Sequence, residues 1–378
     1  MTEDKLYDKI LCGEPVAFEE AMWLWECASL PDVMFVADAL RRRRVPDPEA
    51  VTWQIDRNVN ITNVCISGCK FCNFHCEPHR TALAYITSLE EYGRKIDEML
   101  ALGGDQLLLQ GGLHPKLGIE FYEQLFTALK QRYPSVKLHA LGPPEIAHIA
   151  RISGITLSET LKRLMAAGLD SLPGAGAEIL DDELRRRISP GKPSAAAWLE
   201  VMREAHRLNL PTSATMMYGH LETPEQRIRH LFAIRDLQAE VPQGHYGFVA
   251  FIPWIFCSAG TRLEREGVQS RFSPLEYLRI IALSRIVLHN IRNIQASWLT
   301  VGLPTAQLAL HAGANDMGSI MIEENVVSAA GVHNRFDAAA IRCAISEAGF
   351  KPVLRDRLYQ LRITNCELQD INGTGPFN

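Results

Sequence analysis

From residue 53 onward, short runs of apolar residues alternate with longer segments in which apolar residues recur at every third or fourth position. The short runs are typical of buried β-strands, and the longer segments are typical of amphipathic helices. The predicted strands are 55–60, 106–110, 137–141, 170–172, 212–216, 246–252, 293–297 and, on the weakest pattern, 315–319. The predicted helices between them include 89–102, 119–132, 158–167, 195–208, 223–238 and 274–288.

This alternation predicts a parallel sheet of the α/β class, because parallel neighbours need a crossover helix between them. Eight strand–helix units over roughly 270 residues match the size of a (β/α)8 TIM-type barrel. An open, doubly wound sheet is the alternative, but nothing in the pattern ends the series after five or six strands. Apolar spacing also predicts helices over 17–28 and 31–44. We therefore expect an N-terminal helical extension (1–50), a barrel (51–350) and a C-terminal segment (351–378).

Composition narrows the class of protein. The 378-residue chain is 47% hydrophobic and 22% charged, which is ordinary for a globular protein. Its net charge of −5 supplies no basic field, so nucleic acid is not an expected partner. The first residues, Met1 to Lys5, lack the profile of a secretory signal, and no continuous apolar run reaches the ~20 residues of a membrane span. We expect a cytoplasmic protein that does not enter a membrane.

Glycine-rich and polar turns follow several of the predicted strands. They cover residues 110–115, 142–145, 173–178, 218–220 and 252–254. In parallel α/β folds, ligands bind at the carboxyl ends of the strands. The five turns are therefore expected to meet at one mouth of the barrel and to form a binding site there.

The nine cysteines divide into two groups. Five are scattered and are expected to be small buried residues, because free cysteine packs as a hydrophobe; they are Cys12, Cys27, Cys257, Cys343 and Cys366. The other four lie within twelve residues, directly after the first predicted strand; they are Cys65, Cys69, Cys72 and Cys76. Disulfides are not expected in a reducing compartment, so the second group needs another explanation.

The spacing Cys-x3-Cys-x2-Cys, with Gly68 at the bend, indicates an iron–sulfur site on a loop. Three thiolates can each bind one iron of a 4Fe-4S cluster and leave the fourth iron open for a ligand. Two alternatives use Cys76 as a fourth ligand: a closed cluster in an electron carrier, or a tetrahedral zinc site in a binding module. The closed cluster is disfavoured because the ferredoxin run has a shorter first gap and a proline after its last cysteine.

This spacing, with Phe71 just before the third cysteine, resembles that of the radical S-adenosylmethionine superfamily. The resemblance implies that Cys65, Cys69 and Cys72 bind a 4Fe-4S cluster whose open iron is chelated by S-adenosylmethionine. One electron then cleaves the sulfonium to methionine and a 5'-deoxyadenosyl radical, which abstracts a substrate hydrogen. The electron is expected from an external one-electron donor such as flavodoxin or ferredoxin.

The resemblance also assigns cofactor-binding residues outside the cysteine loop. It implies that Phe71 lies near the adenine and that Gly111 and Gly112 receive the methionine amino group through their backbone. Glu178 is a further candidate S-adenosylmethionine contact, because two glycines before it allow close backbone approach.

Longer segments narrow the resemblance. Residues 109–115, 138–145, 170–178 and 213–220 look like the menaquinone-pathway and deazaflavin-pathway branch of the superfamily. Within it, 174–178 and 313–319, followed by 323–327, are similar to the cyclic dehypoxanthine futalosine synthases. Cys76 and residues 254–263 depart from that pattern. The nearest alternative is an aminofutalosine synthase-type enzyme, and a different class is a non-catalytic electron-transfer protein.

This family resemblance implies an intramolecular ring closure of the small molecule dehypoxanthine futalosine. The adenosyl radical abstracts hydrogen from C4' of the sugar, and the new carbon radical adds to the substrate's own benzoate ring. Loss of one electron and one proton restores aromaticity.

This chemistry requires a proton acceptor and a partner for the substrate carboxylate. His114, Glu178, Tyr218 and His220 sit at strand-end turns and are the candidate catalytic bases. Lys192 and Arg262 are candidate cations for the benzoate, with an ordinary surface charge as the simpler interpretation of each. Structural ion pairing is expected for Glu323 and Glu324. The spacing of His75 and His79 does not define a second metal site.

Overall fold

The computed structural model describes residues 3–80, 82–323 and 337–362 of the chain. Its strands are β1 (Ala50–Gln54), β2 (Asp56–Asn60), β3 (Gln106–Gln110), β4 (Lys137–Ala140), β5 (Leu169–Ser171), β6 (Thr212–Tyr218), β7 (Phe248–Ile255), β8 (Asn293–Ile294), β9 (Asp316–Ser319) and β10 (Lys351–Leu354). Its helices are α1 (Glu3–Leu11), α2 (Phe18–Glu26), α3 (Leu30–Arg44), α4 (Leu89–Ala101), α5 (Ile119–Arg132), α6 (Pro143–Ser153), α7 (Leu157–Ala167), α8 (Asp182–Ile188), α9 (Ala195–Arg207), α10 (Pro224–Ala239), α11 (Arg262–Arg265), α12 (Pro274–Val287), α13 (Trp298–Val301), α14 (Leu303–Leu310) and α15 (Ala338–Glu347).

Parallel pairing joins the strands into a closed ring. β2, β3, β4 and β5 are hydrogen-bonded in that order, and so are β6, β7 and β8. Single bridges from Leu172 to Thr212 and from Gln295 to Asp316 connect β5 to β6 and β8 to β9. β9 pairs with β1, which runs directly into β2. With β1 and β2 counted as one long strand, the ring has eight strands, and the predicted TIM-type barrel is confirmed.

The strand predictions agree with the structure best in the middle of the barrel. β3 has the predicted bounds, and β4, β5 and β9 differ from the prediction by one residue at one or both ends. β1 and β10 were not predicted. β8 is shorter than predicted, and β7 begins later and extends to Ile255, passing through Pro253. Helix α6 also replaces what the sequence indicated only as a turn. The Glu145 carboxylate caps its start by accepting a hydrogen bond from Gly142 N at 2.7 Å.

The three N-terminal helices pack on the outside of the barrel. α3 lies along α12, and α2 contacts α10 and α12. The end of α2 is held by Arg279 of α12, whose Nη1 donates to the carbonyls of Leu24 (2.8 Å) and Ala28 (2.9 Å). The helical extension therefore covers one side of the barrel and leaves both ends of the ring to other segments.

One end of the barrel is closed by the segment that contains β10. β10 pairs in parallel with β1, from Lys351 beside Ala50 to Leu354 beside Trp53. The chain then turns through residues 355–362. In this turn the Asp356 carboxylate accepts hydrogen bonds from the backbone amides of Leu358 (2.8 Å) and Gln360 (2.9 Å).

The scattered cysteines do not follow the prediction. Cys12, Cys27 and Cys343 are exposed and Cys257 is half-buried, because each lies on a helix surface, at a helix end or in a loop. Cys366 lies outside the described residues. No helix in the described part of the chain is both long and apolar enough to cross a membrane.

Candidate active site

A cavity of about 410 Å³ runs through the inside of the barrel. Its lining includes the loop after β2, at the carboxyl ends of the strands, and also the first residues of β3, β6 and the turn after β10. Its volume lies within the range of small-molecule sites, about 300–1,000 Å³. The cavity therefore connects the mouth of the barrel with its polar interior.

Three of the four clustered cysteines line this cavity. They are Cys65, Cys69 and Cys72. The loop that carries them is held in place by backbone hydrogen bonds, from Lys70 N to Ile188 O (2.8 Å) and from Gly191 N to Ser67 O (2.9 Å). Gly68 supplies the predicted bend with a φ of 61°, in the left-handed region that favours glycine.

The fourth cysteine points elsewhere. Cys76 does not line the cavity, and its Sγ lies 3.5 Å from the carbonyl of Glu77 and 3.4 Å from that of Arg80. Its backbone is used to shape the loop, because Cys76 O accepts from Cys65 N (2.9 Å) and Cys76 N donates to Asn63 O (2.7 Å). Cys76 is thus a scaffold residue, and this geometry disfavours a closed cluster.

The thiol arrangement also disfavours a zinc site. Among the described residues, no group of three or more His, Cys, Asp or Glu side chains is placed to hold a single metal ion. One zinc ion needs all its sulfur ligands about 2.3 Å from one point, whereas the irons of a cubane each take a separate thiolate. The three thiols line one cavity without converging on one point, and a cubane requires no such convergence.

Burial keeps two of these thiols, those of Cys69 and Cys72, protonated in the bare protein. Loss of solvent raises the pKa of Cys69 to about 11, although the nearby Lys192 charge lowers it, and burial also raises the pKa of Cys72. Because the ligand to iron is the thiolate, binding of a cluster releases protons from this loop. The Ser67 hydroxyl lies between two of the sulfurs, 2.9 Å from Cys65 Sγ and 3.3 Å from Cys69 Sγ.

The glycine pair packs directly against the cysteine loop. A Cβ on Gly112 would lie 2.2 Å from the Val64 carbonyl oxygen, so only glycine fits there. The amide of Gly112 donates to Thr62 O (2.8 Å), and the amide of Gly111 donates to Glu145 Oε1 (2.9 Å). Both amide protons are therefore used within the protein, and these glycines can offer only their carbonyl oxygens to an amino group.

Glu145 was not singled out from the sequence, yet it lines the cavity. Its carboxylate also accepts from Gly142 N (2.7 Å), so it ties the turn after β3 to the turn after β4. Burial raises the pKa of Glu145 to about 7, against the opposing effect of the two amide hydrogen bonds. Glu145 could have been identified from the sequence by its position in the first turn of α6, because an acidic residue there caps the helix.

Glu178, Lys192 and Phe71 form a second group in the cavity wall. Lys192 is ion-paired with the buried Glu178, and its Nζ lies 5.1 Å from the centre of the Phe71 ring. The simpler interpretation of Lys192 as a surface charge is wrong, because its side chain lines the cavity. Glu178 has a φ of 43°, a rare conformation for a residue with a side chain that typically costs about 1–3 kcal/mol.

The other three candidate bases do not reach the cavity lining. His114 Nδ1 accepts from Lys116 N (3.1 Å), outside the barrel mouth. His220 is fully buried beside Glu222, 3.0 Å away, in an ion-pair network that continues to Arg227. Tyr218 is also fully buried. The structure thus corrects the catalytic assignment of His114, Tyr218 and His220.

Substitution of Tyr218 tests this correction. Its hydroxyl is buried without a hydrogen-bond partner among the described residues. Tyr218→Phe is therefore expected to leave turnover within about twofold and to leave stability unchanged or raised by up to about 1 kcal/mol. Steady-state product formation and urea unfolding measure the two effects. A tenfold loss of turnover with intact folding would restore Tyr218 as a catalytic residue.

Tyr277 provides the matched control for this substitution. It is equally buried, but its hydroxyl accepts a hydrogen bond from Ser297 N at 2.7 Å. Tyr277→Phe leaves that amide without its partner, so it is expected to cost about 1–3 kcal/mol in the free energy of unfolding.

The remaining charged candidates are structural. Arg262 is exposed and pairs with Glu266 at 2.9 Å, away from the cavity, so it is not a substrate cation. Glu323 pairs with Lys95 (2.5 Å) and Arg57 (3.0 Å), in line with the expected structural role. Glu324 lies outside the described residues.

Several polar groups deep in the cavity were not identified from the sequence. Asp56 is buried, which raises the pKa of its carboxyl, and it accepts from Gln54 Nε2 at 2.9 Å. Burial lowers the pKa of His139 to about 3, so its imidazole is neutral; it lies 2.7 Å from Ser171 Oγ. Arg355 and Arg357, from the turn after β10, also line this part. Asp56 and His139 could have been found from the sequence, because each is a polar residue on a predicted strand. No feature of the sequence pointed to Arg355 or Arg357.

Comparison with protein families identifies the class of protein that this barrel and loop define. The model of the radical SAM superfamily matches residues 59–234, and the model of the CofH/MqnC C-terminal region matches residues 245–368. The chain belongs to the radical S-adenosylmethionine superfamily. It is an enzyme, and its cofactors are one 4Fe-4S cluster and S-adenosylmethionine.

Its relatives carry two different names. The chain is 42% identical to the cyclic dehypoxanthine futalosine synthase of Streptomyces coelicolor, over 94% of this chain and 88% of that protein. It is 37% identical to the protein of the same name from Halalkalibacterium halodurans, over 96% and 95%. It is also 42% identical to a 5-amino-6-(D-ribitylamino)uracil–L-tyrosine 4-hydroxyphenyl transferase of Archaeoglobus fulgidus, over 86% and 92%.

A solved structure supports the fold. The chain superposes on methylornithine synthase (PylB) with a TM-score of 0.69 at 20% identity, covering 93% of this chain and 98% of that one. The resemblance found in the sequence motifs is confirmed at the level of the family. The likeness to PylB shows the shared barrel and carries no argument about substrate.

Proposed function

We propose that this enzyme closes a ring within dehypoxanthine futalosine to form cyclic dehypoxanthine futalosine, in menaquinone biosynthesis by the futalosine route. The observation that supports this best is the continuous cavity, which places three thiols at the mouth of a barrel with a polar interior. A polar nucleoside-like substrate that carries an aryl acid needs such an interior. The two relatives with this function name extend over most of the chain.

In this proposal, Cys65, Cys69 and Cys72 hold the cluster, and Cys76 holds the loop. When bound and supplied with an electron by an external donor such as flavodoxin or ferredoxin, the cluster and S-adenosylmethionine provide a 5'-deoxyadenosyl radical. The carbonyls of Gly111 and Gly112 would receive the methionine amino group, because the amides of both glycines are already used within the protein. Glu145 fixes those glycines through the Gly111 amide, at 2.9 Å.

The side chains that line the mouth of the cavity also exclude water from the reactive carbon radical. Phe71, Phe74 and Trp254 line the cavity with aromatic surface. Lys192 is held over Phe71 by its ion pair with Glu178, so this wall is kept in one arrangement. An ordered wall of this kind also limits the motion of the bound substrate.

The reaction requires a proton acceptor after the ring has closed. We assign this role to a titratable group of the cavity lining, and the candidates are Asp56, His139, Glu145 and Glu178. Asp56 is the strongest of the four, because burial raises the pKa of its carboxyl and its side chain lies on the first barrel strand below the cysteine loop. Glu145 is held by two backbone amides and Glu178 by the Lys192 cation, whereas the hydrogen-bond donors to the Asp56 carboxylate include the neutral side chains of Gln54 and Ser319.

One experiment tests the proposed function against its rivals. Anaerobically reconstituted protein, reductant and S-adenosylmethionine are incubated separately with dehypoxanthine futalosine, with the enolpyruvyl benzoate used by aminofutalosine synthases, and with L-tyrosine plus 5-amino-6-(D-ribitylamino)uracil. We expect free 5'-deoxyadenosine and a product that lacks two hydrogen atoms only in the first incubation. Adenosine carbons retained in the product indicate the aminofutalosine synthase-type reaction. Turnover in the third incubation indicates the activity named for the Archaeoglobus fulgidus relative.

A further inference from the structure

The end of the cavity opposite the cysteine loop contains two guanidinium groups, and they differ in how fully they are neutralised. Arg355 is buried and makes an ion pair with Asp316 through two nitrogens, while its Nη1 donates to Gln54 Oε1. Its charge is therefore balanced inside the barrel wall. Arg357, two residues later, lines the same cavity but has no such dedicated carboxylate among the described residues.

The nearest acid to Arg357 is shared with better-placed cations. Asp170 Oδ2 lies 2.6 Å from Lys130 Nζ and also accepts the amide of Leu138 at 2.9 Å. Lys137 is a further cation at 3.8 Å, and Arg357 Nη2 reaches Asp170 only at 4.0 Å. Three cations thus surround one carboxylate, and the local charge is positive.

The turn that carries Arg357 supplies no ion-pair partner for its guanidinium among the described residues. Its only carboxylate, Asp356, is occupied by the backbone amides of Leu358 and Gln360. The contact that positions Arg357 is a hydrogen bond from its Nη1 to the carbonyl of Asp170, at 3.3 Å. This contact uses one N–H of Nη1, and the guanidinium has four more N–H donors in a side chain that lines the cavity.

The walls near this charge are suited to an aromatic ring. Asp170, Thr212 and Val249 stand at or near the starts of their strands, so this is the amino-terminal end of the barrel. Pro211 and Val249 contribute apolar surface to the cavity lining there. The same end of the cavity also carries polar groups, among them His139 and Ser171. A guanidinium at this mixed end suits an aryl carboxylate, because arginine binds carboxylates through two parallel hydrogen bonds.

We propose that Arg357 binds the carboxylate of the substrate's aryl acid at the amino-terminal end of the barrel. This inference rests on the proposed function, which supplies a substrate with a benzoate group. It replaces Arg262, which lies outside the cavity, and Lys192, whose charge is paired with Glu178 at the mouth. The substrate then spans the barrel, with its sugar toward the cysteine loop and its acid toward the turn after β10.

The test compares dehypoxanthine futalosine with its carboxamide analogue in two proteins. For the wild-type enzyme, we expect the KM of the carboxamide to exceed that of the acid by about 10–100-fold, as for a lost charge-assisted hydrogen-bonded pair. In Arg357→Gln, the KM of the acid is expected to rise by a similar factor and the preference for the acid to disappear. An unchanged acid preference in folded Arg357→Gln overturns the inference and leaves the proposed function standing.

Two further variants serve as controls for the Arg357→Gln result. Arg362→Gln removes an arginine from the same segment, but Arg362 pairs with Asp105 and does not line the cavity, so the KM of both substrates is expected to stay within about twofold. Arg357→Lys keeps the cation and decides the case if Arg357→Gln fails to fold. A lysine cannot form the paired hydrogen bonds of a guanidinium, so an unchanged KM for the acid in that variant counts against the inference.

Failure of the proposed function is recognised separately. If the wild-type enzyme does not turn over dehypoxanthine futalosine at all, binding of 4-fluorobenzoate is followed by ¹⁹F NMR line broadening. Broadening with the wild-type protein that is lost in Arg357→Gln and kept in Arg362→Gln supports a carboxylate site at Arg357. Equal broadening in all three proteins, or none in the wild type, overturns it.

Discussion

Cys65→Ala is expected to abolish both cluster binding and S-adenosylmethionine cleavage, whereas Cys76→Ala is expected to retain both. The Cys65 sulfur lines the cavity and is held there by the amide of Leu113 at 3.3 Å. The Cys76 sulfur faces the carbonyls of Glu77 and Arg80 outside it. With only two of the three thiolates left, the cluster loses an anchoring iron–sulfur bond. Iron and sulfide content, together with 5'-deoxyadenosine release, measure the effect.

The two substitutions control for each other, because both remove a buried thiol from the same loop. We expect Cys76→Ala to lose stability by about 1 kcal/mol through weaker packing. Spectra in which Cys76→Ala loses its cluster as completely as Cys65→Ala would show that the fourth cysteine is a ligand. The closed, electron-carrying arrangement would then be the better description of the loop.

Gly112→Ala is expected to be the most damaging substitution outside the cysteines. The added Cβ would lie 2.2 Å from the Val64 carbonyl oxygen and 2.8 Å from Cys65 Cβ, and neither contact is with a flexible side-chain end. The cysteine loop must therefore shift, which costs about 3 kcal/mol and displaces the first ligand. Reduced iron content in reconstituted protein and a lower midpoint of urea unfolding are the two readouts.

Gly118→Ala is the matched control, because Gly118 lies in the same loop between β3 and α5. Its Cβ would lie 3.1 Å from Ser153 Oγ and 3.5 Å from Glu120 Oε2, which are both side-chain ends that can shift by a few tenths of an ångström. Normal iron content is expected, with a stability change below about 1 kcal/mol. If both alanine variants reconstitute fully, the close packing of the glycine turn on the cysteine loop has no bearing on the cluster.

The barrel could be predicted because its strands carry their own local signal. Three leucines, 107–109, form an apolar run between Gln106 and Gln110, and β3 spans these five residues. β10 could not be predicted in this way. It has four residues, one of them Pro352, and its place depends on pairing with β1 from the far end of the chain. Non-local pairing leaves no periodicity in a short window.

The cysteine ligands could be proposed from spacing alone, but the candidate bases could not be sorted. His114, Tyr218 and His220 do lie at or just after strand ends, as predicted. A strand-end position sets the height of a residue in the barrel and does not set the direction of its side chain. That direction depends on partners such as Glu222 for His220, which only the folded chain brings together. Arg357 could not be identified from the sequence, because the turn that carries it is placed at the barrel only by the pairing of β10 with β1.

The late position of β10 in the chain has a consequence for biosynthesis. A nascent polypeptide that has emerged only as far as β9 already contains Asp316, but the guanidinium that neutralises this acid belongs to Arg355. Until then the ring would enclose an uncompensated charge, which is a strongly unfavourable state. Closure of the ring is therefore expected to become favourable only after the ribosome has delivered β10, and the shorter nascent chain is expected to be the more aggregation-prone form.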